Sequence, residues 1–241
     1  MTSRCCSRCS LGRTRGRPRR WAIPALSSPL RRGTLATSLA GLRVAFAPDL
    51  GGTLVVDAEV GAVVRGAAER LAAAGAELVE AAPDLALADD TFRTLRAWHF
   101  HAKFADLLAQ RPDDFKQSLA DNIRAGASLT GVDVARAYTQ RTALSEEMRQ
   151  FFGGVDVLLL PTSQVPPFPV EQEFPTAING QEMPDYLAWM RSAWAITVTG
   201  CPAISVPAGH TPAGLPVGVQ LVAPHGADRR LLEIAAAFTA L

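Results

Sequence analysis

With 241 residues, 48% of them apolar, the chain can bury the core of one or two domains, which excludes disorder throughout. Its net charge of +1 joins unlike parts: residues 1–40 carry nine arginines and no acid, while the remainder sets 15 basic groups against 23 acids. Cys5, Cys6 and Cys9 lie in the basic segment and only Cys201 lies beyond it, so no internal disulfide framework supports the fold. No apolar run reaches the roughly 18 residues of a membrane span, and the expectation is a cytoplasmic, reducing setting without membrane contact.

The segment 1–40 is rich in Arg, Ser, Pro and Gly, has no helical or strand period, and is expected to be disordered. Zinc at Cys5, Cys6 and Cys9 lacks a fourth ligand at a suitable spacing, the nearest histidine being His99. Nucleic-acid binding by the arginines lacks aromatic interleaving and a recognisable module, and it is not expected. An organellar presequence would share this composition. The abrupt change near Leu39 suits a mis-started or out-of-frame segment, so the folded domain is expected over 41–241.

From there the chain alternates. "LRVAFAPDL" reads as a buried strand, Asp57 as an N-cap, and Val60, Val63, Val64, Ala67 and Leu71 as one helical face that Gly75 stops. "AELVEAA" returns as a strand, completing a βαβ unit. Residues 86–152 read as three helices broken at "RPDD" and "RAGASLTG". The last opens on Thr130 and Asp133 in capping-box spacing, with Val134, Ala137, Tyr138, Leu144, Met148 and Phe151 on one face.

"VDVLLLPT" is the continuously apolar strand of a sheet covered on both faces, and a Pro-rich loop, "PTSQVPPFPVEQEFP", follows it. A helix is expected from Pro184 through "YLAWMRSAWAITV", then strands in "PAISVPAG" and "VGVQLV". The final helix starts at Asp228, with Leu231, Leu232, Ala235 and Phe238 along one side. The fold class is α/β.

Cys201, Ser205, His210 and His225 crowd into one short region, which invites a catalytic reading. Spacing opposes it. A nucleophile elbow needs small residues flanking the serine at two positions, and Ser205 has Ala203 and Pro207 there, inside an extended run. Cys201 has no charged neighbour in sequence to lower its pKa. His99 and His101 project about 200° apart on a helix and cannot share an ion. No phosphate-binding or dinucleotide motif occurs, and neither a metal nor a cofactor is expected.

The chain resembles the C-terminal portion of the amidase signature family. The motifs follow in order: a strand ending in Pro161-Thr162, a Pro-rich loop, a helix leading to Thr199-Gly200-Cys201-Pro202-Ala203, Val206-Pro207-Ala208-Gly209, Gly214-Leu215-Pro216, and Val217-Gly218-Val219-Gln220-Leu221-Val222. The resemblance covers about residues 40–241. It implies part of an α/β/α sandwich with a mixed central sheet, a small amide as substrate, and catalysis by a lysine, a bridging cis-serine and a nucleophilic serine in a Gly- and Ser-rich loop.

None of those catalytic residues can be placed on this sequence. Its only lysines, Lys103 and Lys116, lie in the helical middle, and no Gly/Ser-rich loop occurs. The family often has Asn at the position of Thr197, and the Arg-Arg-Ile motif of the tRNA-linked amidotransferases is missing, so the resemblance favours a general amidase as parent.

Three readings follow. The first is a truncated amide hydrolase, inactive alone, with Ser163, Phe168 and Thr197 on its substrate-channel wall. The second is a binding or assembly subunit pairing through an exposed sheet edge, with a separate catalytic half or with itself. The third and weakest is an Arg-tail nucleic-acid protein.

Overall fold

In the computed structural model, which describes residues 38–241, the first apolar run forms strand β1 (Arg43–Phe46). The readings of residues 1–37, including the Cys5, Cys6 and Cys9 zinc site and the arginine tail, lie outside the described residues. Leu39 is already buried in the core, so the folded region reaches back beyond residue 41.

Asp57 caps helix α1 (Ala58–Ala73), its Oδ1 accepting the backbone N–H groups of Glu59 (2.9 Å) and Val60 (3.3 Å). Gly75, at φ 94°, turns the chain into β2 (Glu77–Glu80), which pairs parallel with β1. This is the expected βαβ unit.

The helical middle is α2 (Ala88–Gln110), α3 (Gln117–Ala125) and α4 (Gly131–Phe151), interrupted where the sequence breaks. Thr130 and Asp133 form the reciprocal capping box. Ala137, Leu144 and Met148 of α4 are buried, whereas Tyr138 is 47% exposed, since it stands a full residue's rotation away from Ala137.

Strand β3 (Val157–Pro161) is buried at all five positions. The Pro-rich loop then contains a hairpin, β4 (Ala177–Ile178) and β5 (Gln181–Glu182), closed by Asn179-Gly180 with both φ values positive. That pair is the strongest short hairpin signal in a sequence, and it was open to reading.

Helix α5 (Arg191–Thr199) starts seven residues later than Pro184 suggests. The reason is Asp185, whose Oδ1 accepts the N–H groups of Leu187 (2.8 Å) and Ala188 (3.1 Å) and so closes a separate turn. Its Oδ2 meets Arg93 Nη1 of α2 at 2.6 Å. Strands β6 (Ala203–His210) and β7 (Pro216–Val222) and helix α6 (Asp228–Thr239) complete the chain. In α6 the core face is Leu231, Ile234, Ala235 and Phe238, and Leu232 is 42% exposed.

The main sheet runs β2-β1-β3-β7-β6, parallel among the first three strands and antiparallel thereafter. Alternation sorts the side chains into two cores. Val44, Phe46, Val157, Leu159, Val219 and Leu221 pack with α1 and α6, while Ala45, Leu158, Leu160 and Val222 pack with Leu144, Met148, Trp194 and Ile196 of α4 and α5. The result is a mixed sheet between helical layers.

Two outcomes test this packing. A methyl group on Gly126 would overlap the Ala97 carbonyl and the His101 Cβ of α2, whereas one on Gly66 of α1 meets nothing within 4 Å. Gly126→Ala is expected to cost about 1–3 kcal/mol by overpacking, and Gly66→Ala to stabilise by about 0.5–1 kcal/mol, both read from urea melts.

The second concerns Asp185. Burial works to raise its carboxyl pKa, but Arg93 and the Leu187 and Ala188 N–H groups outweigh it and hold the group below the usual carboxylate range. A depressed folded-state value stabilises above the unfolded pKa of about 3.9 and is lost as pH falls through the lower folded value. Asp185→Asn should lower stability at pH 7 by up to about 1 kcal/mol, as for a partly exposed ion pair. The gap to the unaltered protein should close as acid melts are taken below about pH 4.

Candidate functional site

Where β3 ends, the chain enters a buried polar junction. Gln164 is almost wholly buried: its Nε2 donates to the Val55 carbonyl (2.9 Å), its Oε1 accepts Ser192 N–H (3.2 Å), and its own carbonyl accepts Asp57 N–H (2.8 Å). Ser192 Oγ donates to the Thr162 carbonyl (3.0 Å), and Gln220 Nε2 of β7 donates to the Ser192 carbonyl (3.1 Å). Every one of these bonds crosses between elements, so the loop after β3 is fixed to α1, α5 and β7 at once. Sequence reasoning passed over Gln164, because nothing in "PTSQVPP" marks a glutamine as buried.

This junction carries a cleft of about 270 Å³ between the Ser163–Phe168 loop, Trp189 and the Pro216–Gly218 start of β7. Ser163 and Phe168, both expected on a channel wall, line it together. Ser163 Oγ donates to the Val165 carbonyl (2.8 Å), so its proton is engaged within its own loop. Phe168 stands edge-on to Trp189 with centroids 5.3 Å apart. Thr197 is not in this lining: it is exposed on α5, its hydroxyl donating to the Ala193 carbonyl (3.0 Å).

Beside the cleft, Ser205 sits on β6 opposite Gln220, its Oγ 2.9 Å from Thr162 Oγ1. Gly218 leaves the space for that contact, since a Cβ there would lie 2.9 Å from Ser205 Oγ. Among the described residues the cleft lining holds no lysine, histidine or carboxylate, so these residues supply no base to activate a hydroxyl. Burial pushes the Cys201 thiol up, with Thr199 opposing, which keeps it protonated and unreactive.

The histidines are placed elsewhere. His101 Nδ1 bonds the Ile123 carbonyl of α3 (3.1 Å), and His225 Nε2 meets Ser145 Oγ of α4 (3.1 Å). That Ser–His pair faces solvent, stands outside the cleft lining, and ties α4 to the turn after β7. Among the described residues no three metal-ligating side chains cluster.

A larger cavity of about 850 Å³ opens between α2, α3 and the segment 173–189. Arg93 and Asp185 on its wall are paired. Its neighbour Arg96 stacks on Phe100, 4.3 Å from the ring centroid, and burial lowers its pKa with Tyr186 opposing. Trp189 belongs to both linings.

Residues 4–232 match the family model described as Amidase. The chain is 33% identical over 203 residues to an acylamidase of Rhodococcus erythropolis, covering 83% of this chain and 42% of that protein. It is 32% identical over 228 residues to a glutamyl-tRNA(Gln) amidotransferase subunit of Synechococcus sp. strain CC9902, covering 83% and 45%. A solved bacterial aryl acylamidase of the amidase signature family shares the fold with a TM-score of 0.74 at 24% identity, over 86% of this chain and 44% of that one. A 6-aminohexanoate cyclic dimer hydrolase does so at 0.70 and 23%, over 88% and 48%. The chain thus spans a little under half the length of these relatives. With nearly its whole length matched, and with the mixed sheet between helical layers that the resemblance implied, the chain belongs to the amidase family.

Proposed function

We propose that this chain is the C-terminal portion of an amide hydrolase, supplying sheet strands and one wall of the substrate channel, and that by itself it does not hydrolyse amides. The observation that carries this reading is the composition of the Ser163–Phe168 cleft: it is shaped by a rigid polar junction, yet has no base and no free nucleophile. Acyl transfer needs both, with N–H donors placed for the oxyanion. Lys103 packs over Phe104 and Lys116 lines the α2–α3 cavity, so neither lysine stands at the cleft. Ser163 and Phe168 would contact a small amide there, and Thr197 would stand on a surface that a catalytic half covers.

A second reading, that of an assembly protein, is favoured by strand β6. It is the last strand of its sheet; Val206 and Ala208 on one face are buried, while Ala203, Ser205 and Pro207 on the other are exposed. An edge strand with small side chains, unpaired on one side among the described residues, is a template for pairing, either with a separate catalytic half or with another copy. A reducing cytoplasm fits the one cysteine in the described residues, buried and unpaired, and no helix among these residues is long and apolar enough to cross a membrane.

Purified alone, the 241-residue chain is expected to release no p-nitroaniline from p-nitroacetanilide. A turnover abolished by Ser205→Ala would overturn the reading of β6 as scaffold. Sedimentation should show dimers or larger species, and a clean monomer at high concentration would remove the open-edge reading.

A further inference from the structure

The α2–α3 cavity has the volume of a small-molecule site, inside the range of about 300–1,000 Å³ typical of such pockets. Three polar atoms on its lining residues are buried without a hydrogen-bond partner: Arg96 Nε, Trp189 Nε1 and Asn122 Oδ1. Buried polar groups are nearly always satisfied by protein or by ordered water, so three gathered on one cavity leave room there for water or for a polar ligand.

The charges on this wall are unequal in their pairing. Arg93 holds Asp185 and Asp89, Asp121 is held by Arg124, and Glu173 accepts the Ser118 hydroxyl at 2.6 Å. Among the described residues Arg96 and Lys116 on this wall have no carboxylate partner, and of the two only Arg96 is withdrawn from water, Lys116 being exposed. The Arg96 guanidinium lies against Phe100 and is half-buried, where an arriving anion would meet little competition from water. Acidic groups already engaged elsewhere do not answer it.

An aromatic row runs on from there. Phe174 meets Tyr186 edge-on at 6.0 Å, Tyr186 meets Trp189 at 6.4 Å, and Trp189 meets Phe168 at 5.3 Å. Phe174 and Tyr186 line the large cavity, Phe168 lines the cleft, and Trp189 lines both. The row lays aromatic surface along the walls of both.

We propose that the α2–α3 cavity binds the acid-bearing end of an elongated ligand, an apolar or aromatic body ending in a carboxylate. Arg96 takes the carboxylate, and the row from Phe174 to Phe168 carries the body toward the Ser163 cleft. Its role as the far end of an amide substrate rests on the amide-hydrolase reading; the binding itself does not.

The test is calorimetric titration of the full chain with 6-phenylhexanoate and with 6-phenylhexanamide, which differ in charge at one end. At pH 7 the carboxylate is expected to bind at least about tenfold more tightly, the scale of a charge-assisted hydrogen bond in a partly buried site. Arg96→Gln should abolish that preference, and Arg96→Lys should keep part of it. Trp189→Phe, which keeps a ring in the row, should leave the carboxylate preference in place. Equal affinity for the two probes, no binding of either, or a preference that survives Arg96→Gln in a folded variant would overturn the proposal. The probe comparison needs no variant, and none of these outcomes bears on whether the chain hydrolyses amides.

Discussion

The burial of β3 on both faces is the constraint from which the rest of the structure follows. Val157 and Leu159 enter the core beneath α1 and α6, Leu158 and Leu160 the core beneath α4 and α5, and none of the four has measurable exposure. Burying each such side chain stabilises by about 1.5–3 kcal/mol, so neither layer can be removed without a large cost. Both edges of the strand are also used, by β1 in parallel and β7 in antiparallel pairing. A parallel neighbour cannot be reached by a tight turn, and here the crossover from β2 to β3 is made through α2, α3 and α4. The long connection that satisfies β3 is therefore also the one that builds the large cavity.

How much of this was legible in the sequence depended on whether local pattern or distant contact decided each element. The βαβ unit, the three-part helical middle and β3 were readable, because Asp57, Gly75, Thr130 and Asp133 act within a few residues of the ends they define. The late start of α5 was not, because the turn that Asp185 closes with the Leu187 and Ala188 N–H groups competes locally with the helix that Pro184 suggests, and only the fold, where Asp185 also meets Arg93, shows which one forms. Leu231 and Leu232 point about 100° apart on the helix, and the core face centres on Leu231, Ile234, Ala235 and Phe238, which leaves Leu232 outside it and gives its place to Ile234. Asn179-Gly180 was legible by rule and hidden only by the prolines around it.

The site divides in the same manner. Ser163 and Phe168 come together because they share one short loop, pinned by Gln164, Ser192 and Gln220. Thr197 sits one turn of α5 beyond Ala193 on its exposed side, and nothing in helical spacing could say what would cover it. The Gln164 junction has no sequence signal, since its partners come from the start of α1, from α5 and from β7. Rigidity at this place is built almost wholly from neutral groups.

That neutrality separates two tasks an enzyme must join. Among the described residues, apart from surface pairs such as Glu146 with Arg149, the helix cap Asp133 and the buried Cys201, the groups with displaced proton affinities are Arg93, Arg96 and Asp185, and all three line the α2–α3 cavity. None lines the Ser163 cleft. Bond breaking needs a perturbed group beside the scissile bond, whereas recognition of a charged ligand needs one at its far end. Trp189 is shared by the two linings, so the neutral cleft and the charged cavity stand side by side. In this chain charge is concentrated on the α2–α3 cavity, and the loop after β3 is held by neutral hydrogen bonds alone.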